Sequence, residues 1–311
     1  MLRPDDLPPI LRLEPFTVAE ALELGVSAGD VRSRALQHPF HGARSIDLDL
    51  SDDHEVARAY GPRLREGDVF SHSTAARLWN LPLPAYLASD VHVSATNPGR
   101  APEVHGVVGH KLVLAAGDIR LVNGMPVTSP SLTWATMAGL IRPEDLVALG
   151  DAVITPPFRS LVSLASINDL RHEVNRRRGC RGQRSREAAI EQIRCGPLSR
   201  PESLVRILCL RAGIPEPELN VGPTGEMPDL RWLQYRVCLE YLGDGHRSVA
   251  QFRFDVGRNE RFLDDDWLVM KVTADDLFDR PEELVTRLAS RLRSRGWGGT
   301  IEVRKIVRFR R

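Results

Sequence analysis

Cysteine is scarce in this chain: it occurs only at positions 180, 195, 209 and 238. No two of these form a C-x-x-C pair, so neither a zinc ribbon nor a dithiol redox motif is written into the sequence. Cys209 and Cys238 sit inside apolar runs and are expected as buried thiols rather than ligands. No stretch approaches the roughly 18 uninterrupted apolar residues that a membrane-spanning helix needs. The first residues bring acids and prolines where a signal peptide needs a basic start and an apolar stretch. The expectation is therefore a cytoplasmic protein without a membrane partner. Excess charge is also lacking: 42 Lys and Arg stand against 41 Asp and Glu, a formal +1, so any basic surface has to be local. There is no internal repeat and no low-complexity tract.

What is present is ordinary for a soluble globular protein, with 42% hydrophobic and 27% charged residues over 311 positions. That length favours two or three domains, each able to bury its own core. Residues 15–41 read as two short helices joined at Gly25-Val26-Ser27, with Thr17 and Ser27 placed to cap them. This is helix-turn-helix grammar, and 43–50 alternates enough to be a strand or wing. Arg32 and Arg34 are the residues there that can reach phosphate or base edges. Residues 51–165 mix helical patterns (55–65, 73–79, 130–140, 143–153) with strand-like runs (91–95, 107–114, 118–122).

Arginine then accumulates at Arg171, Arg176, Arg177, Arg178, Arg181, Arg184 and Arg186. Gly179 and Gly182 break this segment, 166–198, which reads as a hinge. Arg176, Arg177 and Arg178 are candidates for phosphate contact, beside the plainer reading of a solvated linker. The final basic residues alternate with Ile306, Val307 and Phe309, as an edge strand or a loose tail would. Trp79, Trp134, Trp232 and Trp267 are expected as core or half-buried packing residues. His72, just before an expected helix, reads as a cap or a packed polar side chain rather than a catalyst, and His92, His105 and His110 lack metal-ligand partners at suitable spacing and receive no site. Ser71 and Ser73 lack the glycine-flanked elbow of a nucleophilic serine.

The strongest chemical signal lies in 199–311. A helical pattern over 202–212 is stopped by Gly213, Pro215 and Pro217. A strand-like run over 229–232, a turn near 233–235 and a second strand over 236–241 follow. Antiparallel pairing of these strands brings Asp229 and Glu240 together. Two adjacent carboxylates repel unless a cation sits between them. Magnesium or manganese, with hard oxygen ligands, is the expected cofactor, and its task would be phosphodiester hydrolysis.

The order of residues here, Arg200-Pro201-Glu202-Ser203, then Asp229, then EYLGDGHR from Glu240 to Arg247, then LVMKVTADDLFDRPEELV, resembles actinobacterial proteins with a very-short-patch-repair-like endonuclease domain of the PD-(D/E)XK superfamily. The resemblance spans roughly 181–292. It implies a restriction-endonuclease-like α/β domain with a mixed sheet, catalytic roles for Glu202, Asp229, Glu240 and His246, and a metal on Asp229 and Glu240. Two departures bear on catalysis: where members often carry a histidine pair this chain has Gly245-His246, and a position close after the glutamate differs as well. Members usually place Lys, Gln or Asp two residues after the glutamate, and here Leu242, which can neither donate nor ligate, takes that place. A helix between the two final strands is expected near 255–258.

The first half, with FSHSTAARLW at 70–79 and GMPVTSP at 124–130, is similar to AbiEi-type antitoxins of type IV toxin-antitoxin systems. That resemblance implies DNA binding and a toxin partner, with no chemistry of its own. The expectation is an α+β multidomain protein. It comprises a winged helix (1–50), an α+β middle domain (51–165), an arginine-rich hinge (166–198) and an endonuclease-like domain (199–311). Two functions stay open: metal-dependent hydrolysis of DNA, and non-catalytic DNA binding by an antitoxin-type regulator.

Overall fold

The computed structural model describes residues 3, 6–96, 99–115, 117–157, 160–219, 228–243 and 266–311. The chain is an α+β protein with mixed sheets. Its segments group into two compact units, 1–81 with 87–137, and 82–86 with 138–311.

The first unit opens with α1 (Pro9–Leu13), β1 (Phe16–Thr17) and α2 (Val18–Glu23). Thr17 caps α2 as its position suggested: its hydroxyl accepts from Glu20 N, while the Glu20 carboxylate accepts from Thr17 N, a reciprocal capping box. Ser27 likewise accepts from Asp30 N. The second expected helix, however, shortens to a 3-10 turn, Asp30–Arg32, which the extended Ser33 ends. Only Val31 and Leu36 from this stretch enter the small core of Leu7, Leu11, Phe16 and Ala21, too little apolar surface to hold a longer helix in place. The expected wing shrinks to β2 (Ala43–Arg44), paired antiparallel with β1, and one further bridge between Gln37 and Ser45.

The same unit continues through α3 (Asp53–Tyr60), β3 (Val69–Phe70), α4 (His72–Leu78), β4 (Val91–Thr96), β5 (Glu103–Val104), β6 (Val107–Leu112), β7 (Ile119–Val122), β8 (Met125–Thr128) and α5 (Pro130–Met137). Six of the unit's described strands form one sheet, in the order β5-β6-β4-β3-β8-β7. β4 pairs parallel with β6 and β3 parallel with β8, while the other neighbours are antiparallel. Phe70, Val91, Val93 and Val127 build the core with Ala57, Tyr60, Ala75 and Leu78 from the helices. Val91 and Val93 alternate with His92 and Ser94, which are buried as well. A strand buried on both faces normally reads as a continuous apolar run, so two polar residues inside this one need a separate account.

The second unit contains α6 (Pro143–Ile154), α7 (Ile167–Arg176), α8 (Gln183–Ile190), α9 (Arg200–Arg211), β9 (Glu218–Leu219), β10 (Leu230–Trp232), β11 (Val237–Tyr241), β12 (Leu268–Val272), α10 (Ala274–Phe278) and α11 (Pro281–Ser294). The segment expected as a hinge is folded into α7 and α8, with α8 packed on α6. Gly179 and Gly182 stand at φ +80° and +82° between these helices, where the lack of a Cβ permits the turn. Arg186 is buried and donates to the carbonyls of Arg177 and Arg181. α6 and α9 are joined by fully buried polar contacts. Arg206 Nη2 meets Asp151 Oδ2 at 3.0 Å, and Ser203 Oγ donates to the same oxygen at 2.8 Å.

The sheet of this unit has the order β12-β11-β10-β9, with β9, β10 and β11 a meander and β12 parallel to β11. The basic C-terminal segment forms a 3-10 turn, Val303–Lys305, rather than an edge strand, and Phe309 is buried. No described helix is long and apolar enough to cross a membrane. The helix expected near 255–258 lies outside the described residues.

Candidate functional sites

The two expected hairpin strands form, joined by a 3-10 turn, Leu233–Tyr235, and Arg236 at φ +50°. Leu230 pairs with Leu239, so Asp229 and Glu240 occupy the next rung outward. Asp229 Oδ2 accepts from Tyr241 N at 2.6 Å, which ties the aspartate to β11 directly beside the glutamate. Glu240 is buried, 5% exposed. A buried carboxylate next to a second one is the arrangement a cation relieves, and two oxygen donors on rigid strands suit a hard dication.

Glu202 is placed differently. Its carboxylate accepts from Leu198 N (2.8 Å) and Ser199 Oγ (2.7 Å), while Ser199 Oγ accepts from Glu202 N as the cap of α9. Its oxygens therefore fasten the chain ahead of its own helix. Burial raises the Glu202 pKa above the ordinary carboxylate value, against the lowering effect of those hydrogen bonds. His246, the remaining catalytic candidate, lies outside the described residues, as does Asp244.

A residue the sequence did not single out joins this site. Lys271 of β12 is the in-register partner of Glu240 in the parallel β11–β12 pair. Residues in register on neighbouring strands share a sheet face, and side chains two apart on one strand share it too. Glu240, Leu242 and Lys271 thus belong to one face, and Lys271 is exposed. Its signal was available in the sequence: Lys271 is the one charged residue of the apolar strand LVMKV. Leu242 N donates to Val272 O at 2.7 Å, so the backbone ladder runs past the end of β11.

The arginines divide. Arg176 and Arg177 both grip the buried Glu173 carboxylate, at 2.7 and 3.1 Å. Arg178 is exposed and donates to the Asn175 side-chain oxygen. Arg32 and Arg34 are exposed. Arg44 is turned back onto the carbonyls of Val31 and Ala43.

The first unit holds a cluster for which the sequence spacing gave no warning. His72 at the start of α4, His92 on β4 and His110 on β6 offer one ligand nitrogen each, all within 4.8 Å of one another. Sequence spacing assigned these residues no site; the fold nonetheless brings three of them to one place. Parallel pairing sets Ser94 beside His110 and places His92 two residues away on the same face. The antiparallel pairing of β3 with β4 delivers the start of α4 to the same place. His92 Nδ1 and His110 Nε2 are 2.9 Å apart, and the rings of His72 and His110 stack at 3.7 Å. Burial, followed by the neighbouring charges of His110 and Arg77 and opposed by Asp90, pushes His92 down to about 4. Its ring is therefore neutral at pH 7, the form in which imidazole binds metal.

No protein family, no curated protein and no solved structure matches the chain.

Proposed function

We propose that the second unit is a metal-dependent endonuclease acting on DNA phosphodiesters, with a restriction-endonuclease-like sheet as its scaffold. The observation that carries this reading is the rung formed by Asp229 and Glu240, with Lys271 in register beside Glu240. Asp229 and Glu240 hold the cation. Magnesium or manganese, when bound there, lowers the pKa of water and neutralises charge developing on the phosphate. Lys271 replaces the polar group that Leu242 cannot provide. Its ammonium, on Glu240's face, orients the attacking water and steadies the phosphate oxygens. The Tyr241 amide fixes the Asp229 carboxylate against rotation. Arg178 and the exposed Arg32 and Arg34 supply phosphate contacts.

The second reading, an antitoxin-type regulator that binds DNA and a toxin protein without cleaving, is favoured by Leu242, which leaves β11 itself without the usual catalytic group. The deciding experiment combines a cleavage assay on single-stranded, duplex and mismatched DNA with melting curves in magnesium. Nicking that requires magnesium or manganese, together with a magnesium-dependent rise in Tm that Asp229→Asn abolishes, supports the nuclease; the rise follows from mass action on the folded state. DNA binding that is indifferent to metal and leaves the strand whole supports the regulator.

A further inference from the structure

The His72, His92 and His110 cluster is expensive to build for packing alone. Each neutral imidazole brings a donor and an acceptor that need partners, and His72 and His92 are 8% and 7% exposed. Apolar side chains would fill the same space without that demand. The surroundings are shaped to hold the rings. A serine just before a helix ordinarily accepts from an amide of the first turn, but Ser71 makes no such bond at α4. Its hydroxyl lies 2.9 Å from His72 Nδ1 and accepts from Ser94 Oγ at 2.6 Å. With Nδ1 occupied in this way, Nε2 is the nitrogen of His72 that can take a ligand. A hydroxyl or carbonyl on the far nitrogen is how ligating histidines are oriented and their tautomer set. His72 is also held at φ +51°, the left-handed region that a residue with a Cβ seldom adopts. The Thr74 hydroxyl accepts from His92 N at 2.8 Å, pinning β4 to the first turn of α4.

We propose that His72, His92 and His110 form a binding site for a zinc-class dication, with three imidazole nitrogens as ligands and a fourth position for water or another donor. Imidazole suits zinc, cobalt, nickel and copper, whereas magnesium takes oxygen ligands. This site is therefore chemically distinct from the carboxylate pair and stands or falls without it. Zinc–nitrogen bonds of about 2.0–2.1 Å put tetrahedral ligands roughly 3.3 Å apart. His92 Nδ1 and His110 Nε2, now at 2.9 Å, open by a few tenths of an ångström, and the proton between them moves through solvent to the far nitrogen of its own ring, so that both bind as neutral imidazoles. A metal lies in the plane of each ring it binds. His72 and His110, stacked with their planes 19° apart, therefore turn about their side-chain bonds as the ion enters. The bound ion ties α4, β4 and β6 together.

The test uses the whole chain, stripped with a chelator and titrated with Zn2+ in a calorimeter. One equivalent is expected. His92→Ala and His110→Ala should each lower the affinity by at least ~100-fold, and Ser71→Ala, which removes an orienting partner, by about 10-fold. The exposed His105, changed to Ala, should leave binding intact. A chain carrying Asp229→Asn and Glu240→Gln should bind zinc as before, which separates this site from the proposed nuclease centre. Because a histidine variant can fail to fold, the unaltered chain is also loaded with Co2+. Intense visible bands of four- or five-coordinate cobalt support the site, and the weak spectrum of six-coordinate cobalt overturns it. Uptake of less than one equivalent, or zinc binding that survives His92→Ala, overturns it as well.

Discussion

Lys271 stands in register with Glu240 across the parallel β11–β12 pair, so a cation from one strand shares a face with a buried carboxylate from the next. The nuclease reading then locates the water-orienting group on β12 rather than two residues beyond Glu240. Lys271→Met should lower magnesium-dependent cleavage about 100-fold, the scale of a misplaced nucleophile, while leaving DNA affinity within a few-fold. Leu242→Ala should change the rate little, and Leu242→Lys should restore part of the rate to the Lys271→Met protein. Cleavage rates under single-turnover conditions check this, and a Lys271→Met enzyme as fast as the parent removes Lys271 from the site.

Asp151 and Arg206 form an ion pair with no exposure on either side chain. Arg194 N and Ser203 Oγ complete the carboxylate's shell, and Arg206 Nη2 also donates to Gln192 O. Asp151→Ala leaves the buried guanidinium with only the half-exposed Glu216 carboxylate, 3.9 Å away, and should cost about 3–5 kcal/mol, whereas replacing the pair together with apolar residues of similar volume should cost far less. Urea midpoints of the single and double variants measure the difference.

Tyr86 donates its hydroxyl to Asp145 Oδ2 at 2.6 Å and accepts from Arg142 N. Burial, then the bond to Asp145, pushes its pKa up from 10.0 to about 12. The unfolded chain loses this proton near 10 and the folded chain only near 12. The contribution to stability is therefore complete below pH 10 and is lost as pH rises towards 12. The stability of Tyr86→Phe should be less sensitive to pH across that window. Denaturation at a series of alkaline pH values checks it, and parallel curves for the two proteins would count against the assignment.

Arg176 and Arg177 are engaged by Glu173, so of the three arginines put forward here for phosphate contact the proposal rests on Arg178. Arg178→Glu and Arg32→Glu should each weaken duplex binding. Each should also reduce the slope of log affinity against log salt by about 0.9 for every phosphate that is no longer neutralised. Arg177→Glu should act mainly on stability, by placing a like charge against Glu173. An unchanged salt slope in both Arg178→Glu and Arg32→Glu would show that these two arginines are solvated faces only.

Much of the local structure was legible because its causes are local. Thr17 three residues before Glu20 is a capping box whatever surrounds it, and Gly213 with two following prolines stops α9 because neither residue type continues a helix. The Asp229–Glu240 rung was readable for a related reason: a short turn between two β-rich runs leaves antiparallel pairing as the economical geometry, and strand alternation does the rest. Cys209, Cys238, Trp134 and Trp232 are buried, as their apolar settings implied. The length of the second N-terminal helix was not readable in the same way, since it depended on how much apolar surface the small core around Phe16 had to offer.

Parallel pairing is where sequence reading stopped. Strands joined by long crossovers carry no turn that sets their register, so nothing local links Glu240 to Lys271 or His92 to His110; the sheet alone makes those neighbours. The histidines illustrate the division most clearly. Their residue type and the alternation of β4 were determined by the sequence itself, as was the chemistry an imidazole can perform. Only the tertiary structure decided that α4, β4 and β6 deliver three of them to one place, because ligand distance is set by strand order and helix packing, to which sequence separation is blind.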